Sequence, residues 1–302
     1  MKVKDGIVGL IVGDALGVPV EFSDKWERIM DPVTDMREHG TYDQPKGTWS
    51  DDSSMTIATM ASIVNKNGID YDDIMTEFIR WFYDSEYTNS ESGTFDIGNT
   101  TSSALFNFHN GKPALESGGS GFRDNGNGSL MRILPMAFIK DIDYETIENV
   151  SSLTHAHEIS RIACVLYIEI AQSMLRDEME ISEHVKLACD KIKEYYKGSE
   201  ALESFERIFT NDLEDVRGRG FVVGSLECVI HCLLNTESYE EAVLMAVNFG
   251  EDTDTTAAIC GGLAGIYYGY DSIPIDWVNS INKIDKVLSL CEKYEAFCDE
   301  SQ

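Results

Sequence analysis

Four glycines, Gly6, Gly9, Gly13 and Gly17, recur every three or four residues through an otherwise apolar segment at 5–18, DGIVGLIVGDALGV. On an α-helix this spacing stacks them along one face, where the missing side chains let a second backbone approach closely. Pro19 ends such a helix. A partner of the same kind lies far down the chain: AAICGGLAGIYYG at 257–269 presents Ala258, Gly261, Gly262 and Gly265. Two helices that meet through such faces belong at the centre of a domain.

Helical periodicity dominates the remainder. Residues 52–66 repeat Met55, Ala58 and Ala61 beside Ile57, Met60 and Val64 and stop at Asn67-Gly68, while 70–84 carry Tyr71, Ile74, Phe78, Trp81 and Phe82 behind an Asp70 cap. A shorter helix from Asn99 to His109 halts before Gly111 and Pro113, and further helices are expected at 143–153, 157–175, 182–197, 220–235, 238–249, 252–269 and 285–298. Few runs alternate with the period of a strand, so the class is all-α. No linker or fixed-period repeat divides the 302 residues, and 43% hydrophobic content supports a sizeable core. A single compact domain spanning 1–302, with about a dozen helices, is expected.

The chain has 24 Lys and Arg against 53 Asp and Glu, a net charge of −29. Such a field repels free polyphosphates, so general nucleic-acid binding is not expected, and the acidic stretches read as solvated surface. Seven cysteines without a CxxC pair suit reduced thiols. Cys228 and Cys232 flank His231 at helical spacing, but their apolar setting from Val229 to Leu234 reads as core rather than as a zinc site. Neither a signal-cleavage pattern nor 18 consecutive apolar residues is present, so a cytoplasmic protein without membrane association is expected.

Two acidic clusters stand where helices should begin: Ser50-Asp51-Asp52-Ser53 and Asp252-Thr253-Asp254-Thr255. Either one alone is an ordinary cap, because Asp and Ser satisfy the free N–H groups of a first turn and a carboxylate suits the positive helix end. If the glycine-faced helices bring the two clusters together, four carboxylates share a small volume. Each close pair then costs on the order of 4 kcal/mol at an effective dielectric of 20, and cations are required. Oxygen ligands without nearby Cys or His select Mg²⁺, Mn²⁺ or Ca²⁺ over zinc. An EF-hand is excluded, since counting from Asp252 puts Ala257 at the turn glycine and Leu263 at the bidentate glutamate. His157-Glu158 lacks the second histidine of a zinc protease. The loop at 117–129, SGGSGFRDNGNGS, is a site candidate by its length and glycine content.

Five segments in order, GLIVGDALGVPVEF at 9–22, GTWSDDSSM at 47–55, NGNGSLMRILP at 125–135, THAH at 154–157 and GEDTDTTAAICGGLAG at 250–265, resemble the ADP-ribosylglycohydrolase family, which includes the dinitrogenase-reductase-activating glycohydrolases. The resemblance implies an all-α metal-dependent hydrolase that releases ADP-ribose from an arginine-linked or serine-linked protein side chain or a small-molecule ADP-ribosyl conjugate. It implies two divalent cations, Mg²⁺ or Mn²⁺, on Ser50, Asp51, Asp52, Asp252, Asp254 and Thr255. Ser50 stands where the family often has Thr, and keeps the hydroxyl; Glu251 stands where many members have Gly and adds a carboxylate beside the centre. Glu21 matches a family glutamate near the scissile ribose, so Glu21, Asp51 and Asp254 are the catalytic candidates. Asn125, Gly126, Asn127, Gly128 and Ser129 would hold the diphosphate on loop amides, with His155 near the bound ligand and His157 pointing elsewhere. Arg132 is assigned no catalytic role and suits a structural salt bridge. The alternatives are a non-catalytic ADP-ribose reader or structural protein of the same fold, and a two-metal hydrolase of another phosphate-containing substrate.

Overall fold

A computed structural model describes residues 2–300. Its helices are α1 Val3–Gly17, α2 Lys25–Met30, α3 Asp51–Lys66, α4 Tyr71–Asp84, α5 Asn99–His109, α6 Ala114–Ser117, α7 Tyr144–Ser152, α8 Glu158–Arg176, α9 Ile181–Tyr195, α10 Glu206–Thr210, α11 Val222–Leu234, α12 Tyr239–Val247, α13 Thr253–Tyr268, α14 Ile275–Ser280 and α15 Ile284–Glu300. Every helix expected from periodicity is present, and the described residues form isolated bridges rather than a sheet. The helices that sequence missed, α2, α6, α10 and α14, have four to six residues each. A segment so short spans at most two turns and leaves no period to read. Asp70 caps α4 as expected, accepting from Asp73 N–H at 3.0 Å.

The two glycine-faced helices, α1 and α13, pack antiparallel through the residues that predicted their meeting. A Cβ on Gly9 would stand 2.3 Å from the Gly261 carbonyl oxygen, one on Gly13 2.1 Å from that of Ala257, and one on Gly17 2.3 Å from the Asp254 Cα. On the other side, a Cβ on Gly265 would lie 2.2 Å from the Asp5 carbonyl oxygen. Only glycine permits backbones at this distance. Residues 6–17 of α1 are all buried, as are Thr253 to Ile266 of α13, so the pair is sheathed on all sides. The sheath is built from α3, α8, α11, α12 and α15. Buried tyrosines tie it down: the Tyr239 hydroxyl donates to the Gly9 carbonyl at 2.6 Å and that of Tyr167 to the Ile259 carbonyl at 2.9 Å. One continuous apolar core results.

Antiparallel packing puts the C-terminal end of α1 beside the N-terminal end of α13. The Thr253 hydroxyl donates to the Gly17 carbonyl at 2.8 Å, and the chain after α1 pairs with the chain before α13 through Phe22 N–H to the Glu251 carbonyl (2.7 Å) and Glu251 N–H to the Ser23 carbonyl (2.6 Å). Glu21 is thereby delivered to the start of α13. Among the described residues, no helix is long and apolar enough to cross a membrane. Cys228 and Cys232 are buried in the apolar core, and His231 lies edge-on to Phe249.

Candidate functional site

The start of α3 is held by a residue that sequence reasoning overlooked. Asp14, fully buried in α1, accepts from Ser50 N–H at 3.0 Å, from Ser53 N–H at 3.0 Å and from the Ser53 hydroxyl at 2.5 Å. Ser50 is the cap of α3; its hydroxyl accepts from Asp52 N–H at 3.3 Å and donates to Asp52 Oδ2 at 2.8 Å. A signal for Asp14 exists, because it is the one charged residue between Gly6 and Val20. Burial pushes its carboxyl up to about 6, against the hydrogen bonds from Ser53 and Ser50 that favour the anion. Asp14→Leu would strand three buried donors, each costing about 1–3 kcal/mol, so a loss of at least ~2 kcal/mol net of the relieved charge burial is expected in denaturant titration. Unchanged stability would contradict this anchoring role.

At the start of α13, Asp252 is the cap residue and Asp254 lies in the first turn. The two acidic clusters meet: the Thr255 hydroxyl donates to Asp52 Oδ2 at 3.3 Å across 203 residues of sequence. Carboxylate oxygens of Asp14, Asp52 and Asp254 lie within 4.8 Å of one another, and so do those of Glu21, Asp96 and Asp254. Asp254 joins both groups. Asp51 and Asp252 stand outside these tightest groups and line the adjoining cavity with Thr255. Asp252 Oδ2 accepts from the Asn127 amide at 2.8 Å.

Burial, followed by repulsion from neighbouring carboxylates, pushes Asp51, Asp52 and Asp254 well above the usual carboxylate range, and burial raises Asp252 as well. Asp52 Oδ1, Asp254 Oδ2 and Glu21 Oε2 are buried without a hydrogen-bond partner. Buried polar atoms are nearly always satisfied, so orphaned oxygens on Asp52 and Glu21, each grouped with Asp254, and on Asp254 itself leave lone pairs that a cation could take. The carboxylate and hydroxyl donor set fits a hard divalent ion.

Asp96 is the second residue that sequence did not single out; its loop, GTFDIG, carries no periodicity or capping pattern. It adopts a left-handed backbone, φ 58°, and accepts from the Tyr42 hydroxyl at 2.6 Å. Phe22 and Glu251, which pair through their backbones beside Glu21, are left-handed too, both at φ 63°. Phe22 and Asp96 line one cleft and Glu251 pairs with Phe22 behind it, so a backbone in this costly region is held there by its surroundings. The Glu21 carboxyl is pushed up to about 9, first by burial and then by Asp96. The Glu251 carboxylate pairs with Arg219 Nε at 2.9 Å.

A cavity of about 430 Å³ is lined by Glu21, Asp51, Asp96, Asp252 and Thr255 together with Gly126, Asn127, Gly128 and His155. The structure divides the five loop candidates. Gly126, Asn127 and Gly128 face the cavity, whereas Asn125 turns inward to accept from Ser160 N–H at 3.1 Å and from its hydroxyl at 2.8 Å. Ser129 is fully buried against Ser151, at 3.0 Å between hydroxyls. The Asn127 N–H is already used by the Gly220 carbonyl at 3.0 Å, so that amide is not free for a phosphate. His157 caps α8 by accepting from Ile159 N–H at 3.3 Å, while His155 precedes the helix and reaches the cavity. Arg132 departs from the expected salt bridge: it donates to the Val150 carbonyl at 3.1 Å and to the Thr154 hydroxyl at 2.7 Å, both neutral.

Compared with known proteins, residues 1–302 match the model of the family described as ADP-ribosylglycohydrolase. An ADP-ribosylarginine hydrolase of Serratia proteamaculans is 28% identical over 305 residues, covering 97% of this chain and 78% of that protein. An ADP-ribosyl-dinitrogen reductase glycohydrolase of Rhodospirillum rubrum is 28% identical, with 91% and 88% covered. A solved structure described as an ADP-ribosylglycohydrolase-related protein complex matches with a TM-score of 0.83 at 25% identity, over 98% of both chains.

Proposed function

The chain belongs to the ADP-ribosylglycohydrolase family, and from that premise we propose that it acts as a single domain that hydrolyses the bond between ADP-ribose and a modified protein side chain. Arginine is the linkage to test first, because relatives are named for it. The observation that carries the reading is the meeting of the two acidic clusters, orphaned oxygens included, at one edge of a cavity whose lining includes a glycine loop and a histidine.

Ser50, Asp51, Asp52, Asp252, Asp254 and Thr255 are the residues that would hold the cations. Bound there, two Mg²⁺ or Mn²⁺ ions would supply positive charge that polarises ribose hydroxyls or a water. The protein's own contribution is position and proton handling. Glu21 lines the cavity, its carboxyl raised to about 9 by burial and then by Asp96, and its place there lets it exchange a proton with the departing group or with water. Asp96, fixed by Tyr42, presents an acceptor on the same side as Glu21 and Asp254. Gly126 and Gly128 bring the loop backbone up against His155, a Cβ on Gly128 standing 2.8 Å from its Cε1, and all three line the cavity.

The decisive assay is release of free ADP-ribose from defined arginine-linked and serine-linked ADP-ribosyl peptides with Mg²⁺ or Mn²⁺ present. Equal turnover in excess chelator would remove the cations from the reading. Calorimetric binding of ADP-ribose without turnover on any linkage would favour a reader, and turnover of phosphoesters alone would favour a different metallohydrolase. For Glu21→Gln, kcat is expected to fall by about 10²-fold or more with KM little changed, the size of effect typical of a lost acid or base. Full turnover would rule out proton handling by Glu21.

A further inference from the structure

We propose that Thr154, oriented by Arg132, is a positioning residue that locks His155 in the tautomer carrying its proton on Nε2, so that a neutral imidazole offers a permanent N–H donor to the cavity. The Thr154 hydroxyl lies 2.7 Å from Arg132 Nη2 and 2.8 Å from His155 Nδ1. A guanidinium only donates, so the hydroxyl oxygen accepts from Arg132. The oxygen keeps a second lone pair, but the hydroxyl's one proton has no acceptor other than His155 Nδ1 among its hydrogen-bond partners, so donation to that nitrogen is the arrangement that uses it. An imidazole that accepts at Nδ1 and is neutral carries its proton on Nε2.

The surroundings hold the ring in that pose. His155 N–H donates to the Ser151 carbonyl at 2.9 Å, and the neighbouring backbone is clasped by Gly119, whose N–H donates to the Thr154 carbonyl at 2.9 Å and whose carbonyl accepts from Ala156 N–H at 2.7 Å. A Cβ on Gly128 would lie 2.8 Å from His155 Cε1, so the glycine loop closes directly over the ring. Burial, with the nearby charge of Arg132, holds His155 down to about 3, which keeps it neutral throughout the physiological range.

Arg132 itself is fully buried over the Phe78 ring, 4.9 Å from its centroid, with Nε and Nη1 lacking hydrogen-bond partners. A buried cation bonded only to neutral groups is an expensive way to fill space. Orienting the Thr154 hydroxyl gives it a role that an apolar side chain of the same volume could not fill.

What the Nε2–H donor is used for, contact with an anionic or ribosyl oxygen, rests on the ADP-ribose reading of the cleft; the tautomer does not. The test is nitrogen-15 NMR of the six histidines in the intact protein, with Thr154→Val and Thr154→Ser alongside and ADP-ribose titrated calorimetrically into each. In the wild type and in Thr154→Ser, His155 should show an unprotonated Nδ1 and a protonated Nε2. In Thr154→Val the tautomers should mix or exchange, with ADP-ribose affinity down about tenfold, the effect of one hydrogen bond to a charged or strongly polar ligand. A protonated Nδ1 in the wild type overturns the proposal, and so does a Thr154→Val protein that keeps both the tautomer and the affinity. A wild type with the assigned tautomer that fails to bind ADP-ribose overturns the ligand reading and leaves the positioning role standing.

Discussion

Asp254→Asn is expected to stabilise the metal-free protein at mildly alkaline pH while abolishing its response to divalent cations. Asp254 belongs to both carboxylate groups at the junction of α3 and α13, and burial with the charges of Glu21, Asp96 and Asp52 holds its carboxyl well above the usual range. A carboxyl raised in the folded state keeps its proton there while the unfolded chain gives it up. Its stabilising contribution is therefore complete below about pH 4, the unfolded carboxylate range, and is lost as pH rises through the folded value. Asp51 and Asp52 act in the same direction, as do Asp14, raised to about 6, and Glu21, raised to about 9.

The metal-free wild type should accordingly lose stability as pH climbs from about 4 towards 9. Asparagine carries no charge to bury, and every tenfold bias against the Asp254 anion that it relieves returns about 1.4 kcal/mol. The replacement keeps an oxygen for Thr255 N–H, now 2.9 Å from Asp254 Oδ1, and turns an amide towards the orphaned side. Added Mg²⁺ or Mn²⁺ should flatten the pH dependence of the wild type and raise its stability by about 3 kcal/mol at a hundredfold excess over Kd. The variant should show neither effect, with turnover reduced about 10³-fold or more. Thermal melts across pH with and without cation decide the matter. Wild-type turnover by Asp254→Asn, or an undiminished cation-induced rise in stability, would remove Asp254 from the site.

Gly13→Ala should be among the most damaging single-methyl additions in the molecule. The new Cβ would meet the Ala257 carbonyl oxygen at 2.1 Å and its carbon at 2.6 Å, both backbone atoms that no rotamer change can move aside. The helices must separate, and a stability loss of about 3 kcal/mol or more is expected, at the upper end of overpacking penalties. Because Gly13 lies one residue before Asp14, and Ala257 one turn after Thr253, separation also pulls apart the starts of α3 and α13. Cation affinity should fall with stability. Gly224→Ala is the control: in α11, its Cβ would find nothing nearer than 3.8 Å, so a gain of roughly 0.5–1 kcal/mol from helix propensity is expected instead. Equal effects of the two substitutions in chemical denaturation would refute the close-packing account.

Much of this architecture was legible because it is encoded at short range. The glycine spacing in 5–18 and 257–269 announced two helices able to touch, and Ser50, Asp52 and Asp252 sit at helix starts, where capping chemistry puts them. Periodicity located each helix long enough to show one. The motifs that resemble the family lie on these same elements.

The sequence by itself therefore determined an all-α chain with a central glycine-faced pair and an acidic residue set at two helix ends. Only the tertiary structure decided which acids share a space. Asp14 reaches Ser50 across 36 residues and Thr255 reaches Asp52 across 203, and Asp96 enters the cleft from a loop whose composition resembles any other. It also decided that Asn125 and Ser129 turn inward while Gly126 and Gly128 face the cavity, and that Arg132 serves Thr154 rather than a carboxylate. The physical reason is the range of the interactions. Propensity and capping act within about one helical turn, whereas burial and charge repulsion at this site arise only when segments distant in sequence displace water from the same small volume.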